Sequence, residues 1–130
     1  MPSEYEALVA ALGETGIPFA EYGWRSRPEG TYGVVSLDFE AGNLNGDTEK
    51  QDRAWRASVD LFCKMLEDRQ SAISEIESAI AGVCGASWGL NQVQYEQETG
   101  MFHYEWECQV TGTVTEPPVT EPPEEETGGA

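Results

Sequence analysis

Basic residues are scarce in this sequence. Lys and Arg number 7 against 24 Asp and Glu, which gives 130 residues a formal net charge of −17. Five of the acids follow Gly112 with no base among them, leaving 19 acids and all 7 bases in the first 111 residues. Proteins that bind DNA or RNA neutralise phosphates with clustered Lys and Arg, and anionic membrane surfaces attract the same residues. The charge therefore argues against nucleic-acid and membrane-surface binding.

Long hydrophobic runs are also missing. No window approaches the roughly 18 apolar residues that a membrane-spanning helix requires. The opening stretch MPSEYEALVAALG is acidic and amphipathic and has no basic region, so it does not predict a signal peptide. We expect no membrane association.

Few residues are suited to catalysis or metal binding. His103 is the only histidine, and its odd separation from Cys108 would place the two on opposite faces of a strand. No Gly-x-Ser-x-Gly motif and no phosphate-binding glycine loop is present. Glu105 and Glu107 share a face, but such pairs arise by chance in so acidic a chain. The sequence predicts a protein that is not an enzyme and binds no metal or cofactor, with His103 as an ordinary surface residue.

Three cysteines, Cys63, Cys84 and Cys108, are an odd number and are far apart in the sequence. Each falls on the apolar side of its predicted element. We therefore expect reduced thiols in the core of a protein made in a cytosol.

Apolar periodicity predicts a helix followed by strands in the first half of the chain. Ser3 and Glu6 form a capping box, and an apolar stripe repeats at helical spacing until Gly13. Pro18 prevents the helix from restarting, so PFAEYGW is predicted to be a short strand that ends at a turn over 25–30. TYGVVSLDFEAG is apolar on both sides in its centre, which is typical of a strand inside a sheet.

The second half predicts a strand, a helix and a hairpin. RAWRASVDLFCK alternates apolar and polar residues, and Ile73, Ile76, Ile80 and Val83 mark a helix over 68–84. SWGLNQVQYEQE and MFHYEWECQVTG flank Thr99-Gly100, a turn suited to a hairpin. The order α-β-β-β-α-β-β predicts an α+β fold: a mostly antiparallel sheet of about five strands with two helices packed on one face.

Two segments lack periodicity. Residues 41–52 predict a long loop, and loops of this length in compact domains are usually functional or mobile. After residue 111 the pentamer Val-Thr-Glu-Pro-Pro occurs twice and an acidic run follows. The composition predicts a disordered tail over 112–130 attached to a folded domain over 1–111.

The ordered set of elements resembles the tail terminator and tail-completion proteins of long-tailed bacteriophages, also called head–tail joining or minor capsid proteins. TGIPFAEYGW is similar to the family's Gly-Ile-Pro and short strand, and RPEGTYGVVSLDF is similar to the strand after it. GNLNGDTEKQDRAWRASVDLFCK resembles the Asn/Asp-rich loop entering a strand. ISEIESAIAGV resembles the second helix, and ETGMFHYEWECQV the closing hairpin. The resemblance covers about residues 1–111, and the proline-rich tail lies outside it.

The resemblance implies a structural virion protein that forms a ring, typically a hexamer. Such a ring caps the tail tube and contributes to the head–tail junction, after assembly in the cytoplasm of a bacterial host. The implied partners are other copies of the chain, the tail tube protein and a head-completion or connector protein, while DNA passes through without specific binding. The acidic charge suits a channel for DNA, because like charges repel the duplex from the wall.

Two groups of residues are candidates for subunit contacts. The long loop is a candidate interface or lumen segment, and exposed arginines are candidates for ion pairs with acids of a neighbouring subunit. The loop candidates are Asn43, Asn45, Asp47, Glu49, Lys50 and Asp52, and the arginines are Arg25, Arg27, Arg53 and Arg56.

Two alternatives stay open at this point. One is a connector or stopper protein on the head side of the neck. The other is a small acidic adaptor or inhibitor that occupies the basic cleft of a partner protein. Self-association distinguishes a terminator from an adaptor or inhibitor, because a terminator forms rings on tail tubes whereas an inhibitor binds one basic partner as a monomer.

Overall fold

A computed structural model describes residues 3–43, 53–64 and 66–112 of the chain. Within these ranges two helices and five strands follow one another in the predicted order. They are α1 (Ser3–Gly13), β1 (Phe19–Glu21), β2 (Tyr32–Asn43), β3 (Arg53–Cys63), α2 (Leu66–Cys84), β4 (Trp88–Glu96) and β5 (Met101–Gly112). The predicted α+β fold is confirmed. The predicted disordered tail lies outside the described residues, apart from Gly112.

Three boundaries differ from the sequence prediction. β1 has only three residues because Tyr22 and Gly23 take φ angles of 67° and 141°, which break the extended backbone. β2 runs to Asn43, whose Cα pairs with that of Arg53, so Asn43 lies in the sheet rather than in the predicted loop. α2 begins at Leu66, two residues before the predicted start.

The strand order in the sheet is β1-β2-β3-β5-β4. β1 runs parallel to β2, and every other neighbouring pair is antiparallel. The last strand in the sequence, β5, therefore lies between β3 and β4, while β1 and β4 form the two outer edges. Val35, Val59 and Trp106 pair across β2, β3 and β5, and they mark the centre of the sheet.

Both helices pack on the same face of the sheet. Their apolar stripes meet the inward side chains of β2, β3 and β5, so the alternation that predicted the strands also supplies the core. The largest fully buried side chains are Trp106, Tyr5, Leu8, Leu12, Leu61, Ile76, Ile80, Val35, Val59, Val110 and Cys63. The three cysteines are buried thiols outside any disulfide, as predicted.

Hydrogen bonds connect the helices to the sheet. The Trp106 indole Nε1 donates to Glu77 Oε2 of α2 at 2.9 Å. The Thr111 backbone nitrogen donates to Glu4 Oε1 of α1 at 2.8 Å, which joins the start of the described chain to its end. These contacts fix the helices to one face and leave the polar side chains of the other face outward.

Candidate interaction surface

The face of the sheet opposite the helices carries the polar half of the strand alternation. We call it the open face, because neither helix covers it. Its residues come from the three central strands: Val34, Ser36 and Asp38 on β2, Arg56, Ser58, Asp60 and Phe62 on β3, and His103, Glu105 and Glu107 on β5. These strands have well-defined register, so the surface has a fixed shape.

Stacked rings cross one end of the open face. Tyr32 and Phe62 stack with centroids 4.9 Å apart, and Phe62 and His103 stack at 4.2 Å. The three residues are cross-strand neighbours in the register, and such pairs stabilise antiparallel strands. The row holds the three central strands together on a face that has few other apolar contacts.

His103 is more constrained than the sequence predicted. Its Nε2 lies 2.7 Å from Asp60 Oδ1 and its Nδ1 lies 3.7 Å from Glu96 Oε2, and its side chain is 21% exposed. The bond to Asp60 raises the pKa of His103 above its ordinary value, against the lowering effect of burial. The prediction of an ordinary surface histidine is therefore wrong. An alternating pattern places Asp60 and His103 on one face but does not give the register that joins them.

Other polar residues of the open face are also connected. Ser58 Oγ and Ser36 Oγ both donate to the Asp38 carboxylate, at 2.5 and 3.0 Å. The Arg56 guanidinium lies 2.9 Å from Glu107 Oε1. Four carboxylates of this face (Asp38, Asp60, Glu105 and Glu107) outnumber its two basic side chains, Arg56 and His103, so the face presents a negative potential to solvent.

The four candidate arginines have different surroundings. Arg25 and Arg27 lie in the connection between β1 and β2, are exposed, and form no ion pair within the described part of the chain. Arg56 pairs with Glu107 of its own chain, so a contact with a neighbouring subunit would compete with that ion pair. Arg53 begins β3, and its Cα pairs with those of Asn43 and Gly112.

Of the six loop candidates, one lies among the described residues. Asn43 ends β2, while Asn45, Asp47, Glu49, Lys50 and Asp52 lie outside the described residues. Their part in a subunit contact or in a lumen stays a prediction.

The described residues offer little chemistry. Within ranges 3–43, 53–64 and 66–112, no group of three or more His, Cys, Asp or Glu side chains is placed to hold a metal ion. The acids beside His103 are Asp60 and Glu96. A hydrogen bond with Cys84 and burial raise the pKa of the Cys108 thiol, and the same hydrogen bond lowers the pKa of Cys84. Neither helix in this part of the chain is long and apolar enough to cross a membrane.

No protein-family model and no curated protein matches the chain. Among solved structures, it is similar to a chain from the virion of a native gene transfer agent particle, with a TM-score of 0.54 and 13% identity. That match covers 83% of this chain and 94% of the other. The chain shares its fold with a virion component. A second solved chain, 10% identical with a TM-score of 0.53, matches over 87% of this chain and 98% of its own length.

A further similarity is weaker. The sheath/tube terminator of an extracellular contractile injection system, in its extended state, aligns with a TM-score of 0.39 and 12% identity. The match covers 96% of this chain and 62% of the terminator. A similarity this weak does not indicate the role of the present chain.

Proposed function

We propose that this chain is a structural protein of a phage-tail-like particle, where it forms a ring that caps the tail tube and contributes to the head–tail junction. The observation that carries the proposal is the shared fold with the gene transfer agent virion chain, because it extends over 94% of that chain. The sequence resemblance to tail terminators supports the same role. The partners are then other copies of this chain, the tail tube protein and a head-completion or connector protein.

The electrostatics of the open face suit this role. A ring around a DNA channel must let the duplex pass without binding it, and a negative wall repels phosphates. The Asp38, Asp60, Glu105 and Glu107 carboxylates supply such a wall if the open face lines the channel. We therefore propose that DNA passes the ring without specific binding.

The test of the function is capture on tail tubes. Purified full-length protein is mixed with assembled tubes of the source particle, and electron microscopy and light scattering follow the tube ends and the mass. We expect a ring at one end of each tube, with about six copies of the 14.3 kDa chain. Capture by the head-side connector alone would assign the protein to the neck instead. A monomer that ignores tubes but binds a basic protein would support the adaptor or inhibitor.

DNA binding supplies an independent check. The isolated protein is titrated into labelled duplex DNA at low and at physiological salt. We expect no binding in either condition, because the chain lacks the clustered bases that release counterions from DNA. Strong binding that weakens with salt would contradict the proposed repulsive channel.

A further inference from the structure

Large apolar side chains are exposed at only two places in the described chain. Leu90, Val93 and Tyr95 of β4 are 48%, 49% and 55% exposed, and Tyr22, which follows β1, is 60% exposed. β4 and β1 are the two outer strands of the sheet. The exposed apolar surface is thus divided between opposite edges of one sheet, where an intermolecular strand contact can bury it.

The β4 edge has little protection against strand pairing. Soluble proteins blunt edge strands with charges, prolines, bulges or covering elements. Among the nine residues of β4 the only charged one is Glu96, and no proline is present, although a register shift occurs between Leu90 and Gln92. Leu90, Val93 and Tyr95, which we call the β4 strip, pair with residues of β5 on the helix side but stay half exposed because they lie at the rim.

The opposite edge is open over a short segment only. β1 pairs with β2 on one side through Phe19, Ala20 and Glu21. Beyond β1, the Tyr22 hydroxyl accepts a bond from the Leu37 nitrogen at 3.3 Å and donates to the Leu37 oxygen at 3.2 Å. Tyr22 thereby occupies the edge of β2 next to β1. On its outer side β1 has no neighbouring strand within the described residues.

Strand direction allows the two edges to join. β1, β2 and β5 run one way, whereas β3 and β4 run the other. A second copy in the same orientation therefore places its β1 antiparallel to β4 of the first copy, and the sheet continues from one subunit to the next. Antiparallel pairing of this kind needs only backbone groups in register.

Charges near the two edges have opposite signs. Glu96 ends β4 and Glu98 follows it in the turn, where both line a cavity with Arg27 of the same chain, while Arg25 is exposed without an ion pair in the described residues. Arg25 follows Trp24, whose Nε1 donates to Gly33 O at the start of β2. Four paired residues cross the sheet in one row: Tyr32 at the start of β2, Phe62, His103, and Gln94 near the end of β4. β2 therefore starts at the end of the sheet where β4 finishes. The opposite charges therefore lie at the same end of their respective edges.

We propose that the β4 edge of one copy pairs with the β1 edge of the next, with the β4 strip and Tyr22 buried at the contact. The inference rests on the proposed ring, for which it names the subunit contact. The two surfaces differ, so the contact is head-to-tail and produces a closed ring or a filament rather than a two-fold dimer. Because β1 has only three residues, the contact is smaller than the roughly 1,600 Å² of a standard interface, so single contacts are weak and closure stabilises the ring.

Paired cysteines test the contact directly. Ala20→Cys and Gln92→Cys place thiols on the open-face side of β1 and β4, and a short bismaleimide joins them across a contact. At high protein concentration we expect a ladder of covalent oligomers from the double variant. The single variants should give no ladder, and a mixture of the two should stop at dimers. The wild type controls for the three native cysteines, which are buried.

Edge variants provide the second arm of the test. In the double-cysteine background, Val93→Lys with Tyr95→Lys adds two charges to the β4 strip, and we expect at least a tenfold loss of ladder. Ala10→Lys with Ala81→Lys adds the same charge on exposed helix positions and should leave the ladder unchanged. Circular dichroism verifies that each variant is folded.

The outcomes separate this inference from the proposed function. Absence of a ladder, an unchanged ladder in the edge variant, or dimers from Gln92→Cys alone would each overturn the head-to-tail contact. Tube capture without a ladder would overturn the contact and retain the terminator role. A ladder without tube capture would support the contact and remove that role. If another protein's strand occupies β4, the cross-link forms with that protein and the contact is again overturned.

Discussion

His103 illustrates at the residue scale how one cross-strand bond links charge to stability. The bond to Asp60 raises the pKa of His103, so the folded chain holds the proton more tightly than the unfolded chain does. The resulting stabilisation is complete below about pH 6.5, the ordinary histidine pKa, and is lost as the pH rises through the higher folded value. The charges of Glu96 and Glu105 also raise the pKa of His103, whereas burial lowers it.

Asp60→Asn removes the largest cause of this shift. Because the chain has a single histidine, the imidazole proton resonance in NMR reports its titration directly. We expect the wild type to titrate above pH 6.5 and the variant to titrate lower than the wild type, since the largest cause of the raised pKa is removed while burial still lowers it. Glu107→Gln, which changes an acid bonded to Arg56 instead, is the control and should leave the titration nearly unchanged. A wild-type midpoint at or below 6.5 would contradict the assignment.

Alternation in the sequence is enough to predict which residues of a strand face the core. Val59, Trp106 and Val110 are buried as their positions predict. The bonds of His103 to Asp60 and of Arg56 to Glu107 were not predictable in this way. Each joins β3 to β5, and neither partner is known until the order and register of the strands are known.

At the scale of elements, β1 depends on a close approach that only glycine permits. A Cβ at Gly33 would overlap the ring of Phe19, which pairs with it in the parallel register. Gly33 therefore lets the Phe19 ring lie flat across β2 while it packs against the core cluster. The sequence showed a glycine inside a strand pattern, but not which side chain occupied the space.

Gly33→Ala should weaken the attachment of β1. We expect the free energy of unfolding to fall by about 1–3 kcal/mol, because the Phe19 ring must move out of its packed position. Gly89→Ala is the matched strand control, since a Cβ there meets nothing within 4 Å, and its effect should stay within about 0.5 kcal/mol. Urea denaturation measures both. Equal effects of the two substitutions would show that the approach of Phe19 is not a constraint.

Elements defined by long periodic patterns were predicted well, and the short one was not. The 3.6-residue repeat gave both helices, and the glycine after the second is confirmed as its end, with φ 63° at Gly85. β1 was predicted too long because the left-handed conformation of Tyr22 has no sequence signal. A tertiary contact accompanies this conformation: the Tyr22 hydroxyl makes two hydrogen bonds with the Leu37 backbone.

At the scale of the whole molecule, the predicted division into a folded domain and a tail has a direct test. The structure extends β5 to Gly112, so the truncation is made after that residue. We expect deletion of 113–130 to change the unfolding temperature by less than about 2 °C, because the described core lies entirely before it. Differential scanning calorimetry measures the change. Loss of a cooperative transition would show that the deleted segment contributes to the fold.

The strand order was beyond the sequence prediction. A hairpin of β4 and β5 can join the sheet through either strand, and local patterns do not decide between them. Trp106 supplies the physical reason for the observed order: its indole is fully buried and bonded to Glu77, which requires β5 to lie under α2. β4 is then left at the rim with its apolar residues exposed.

The central position of β5 also determines when the domain can fold during synthesis. β3 and β4 cannot belong to one sheet until β5 lies between them, and β5 is the last of the described strands that the ribosome makes. Until this strand is released, the nascent chain can form only the β1-β2-β3 part of the sheet, with the edge of β3 unpaired, while β4 has no strand partner among the described residues. Folding of the sheet is thus a late event dominated by distant pairings, and such topologies fold slowly. A partner that recognises the completed sheet can bind only chains whose synthesis has passed Gly112.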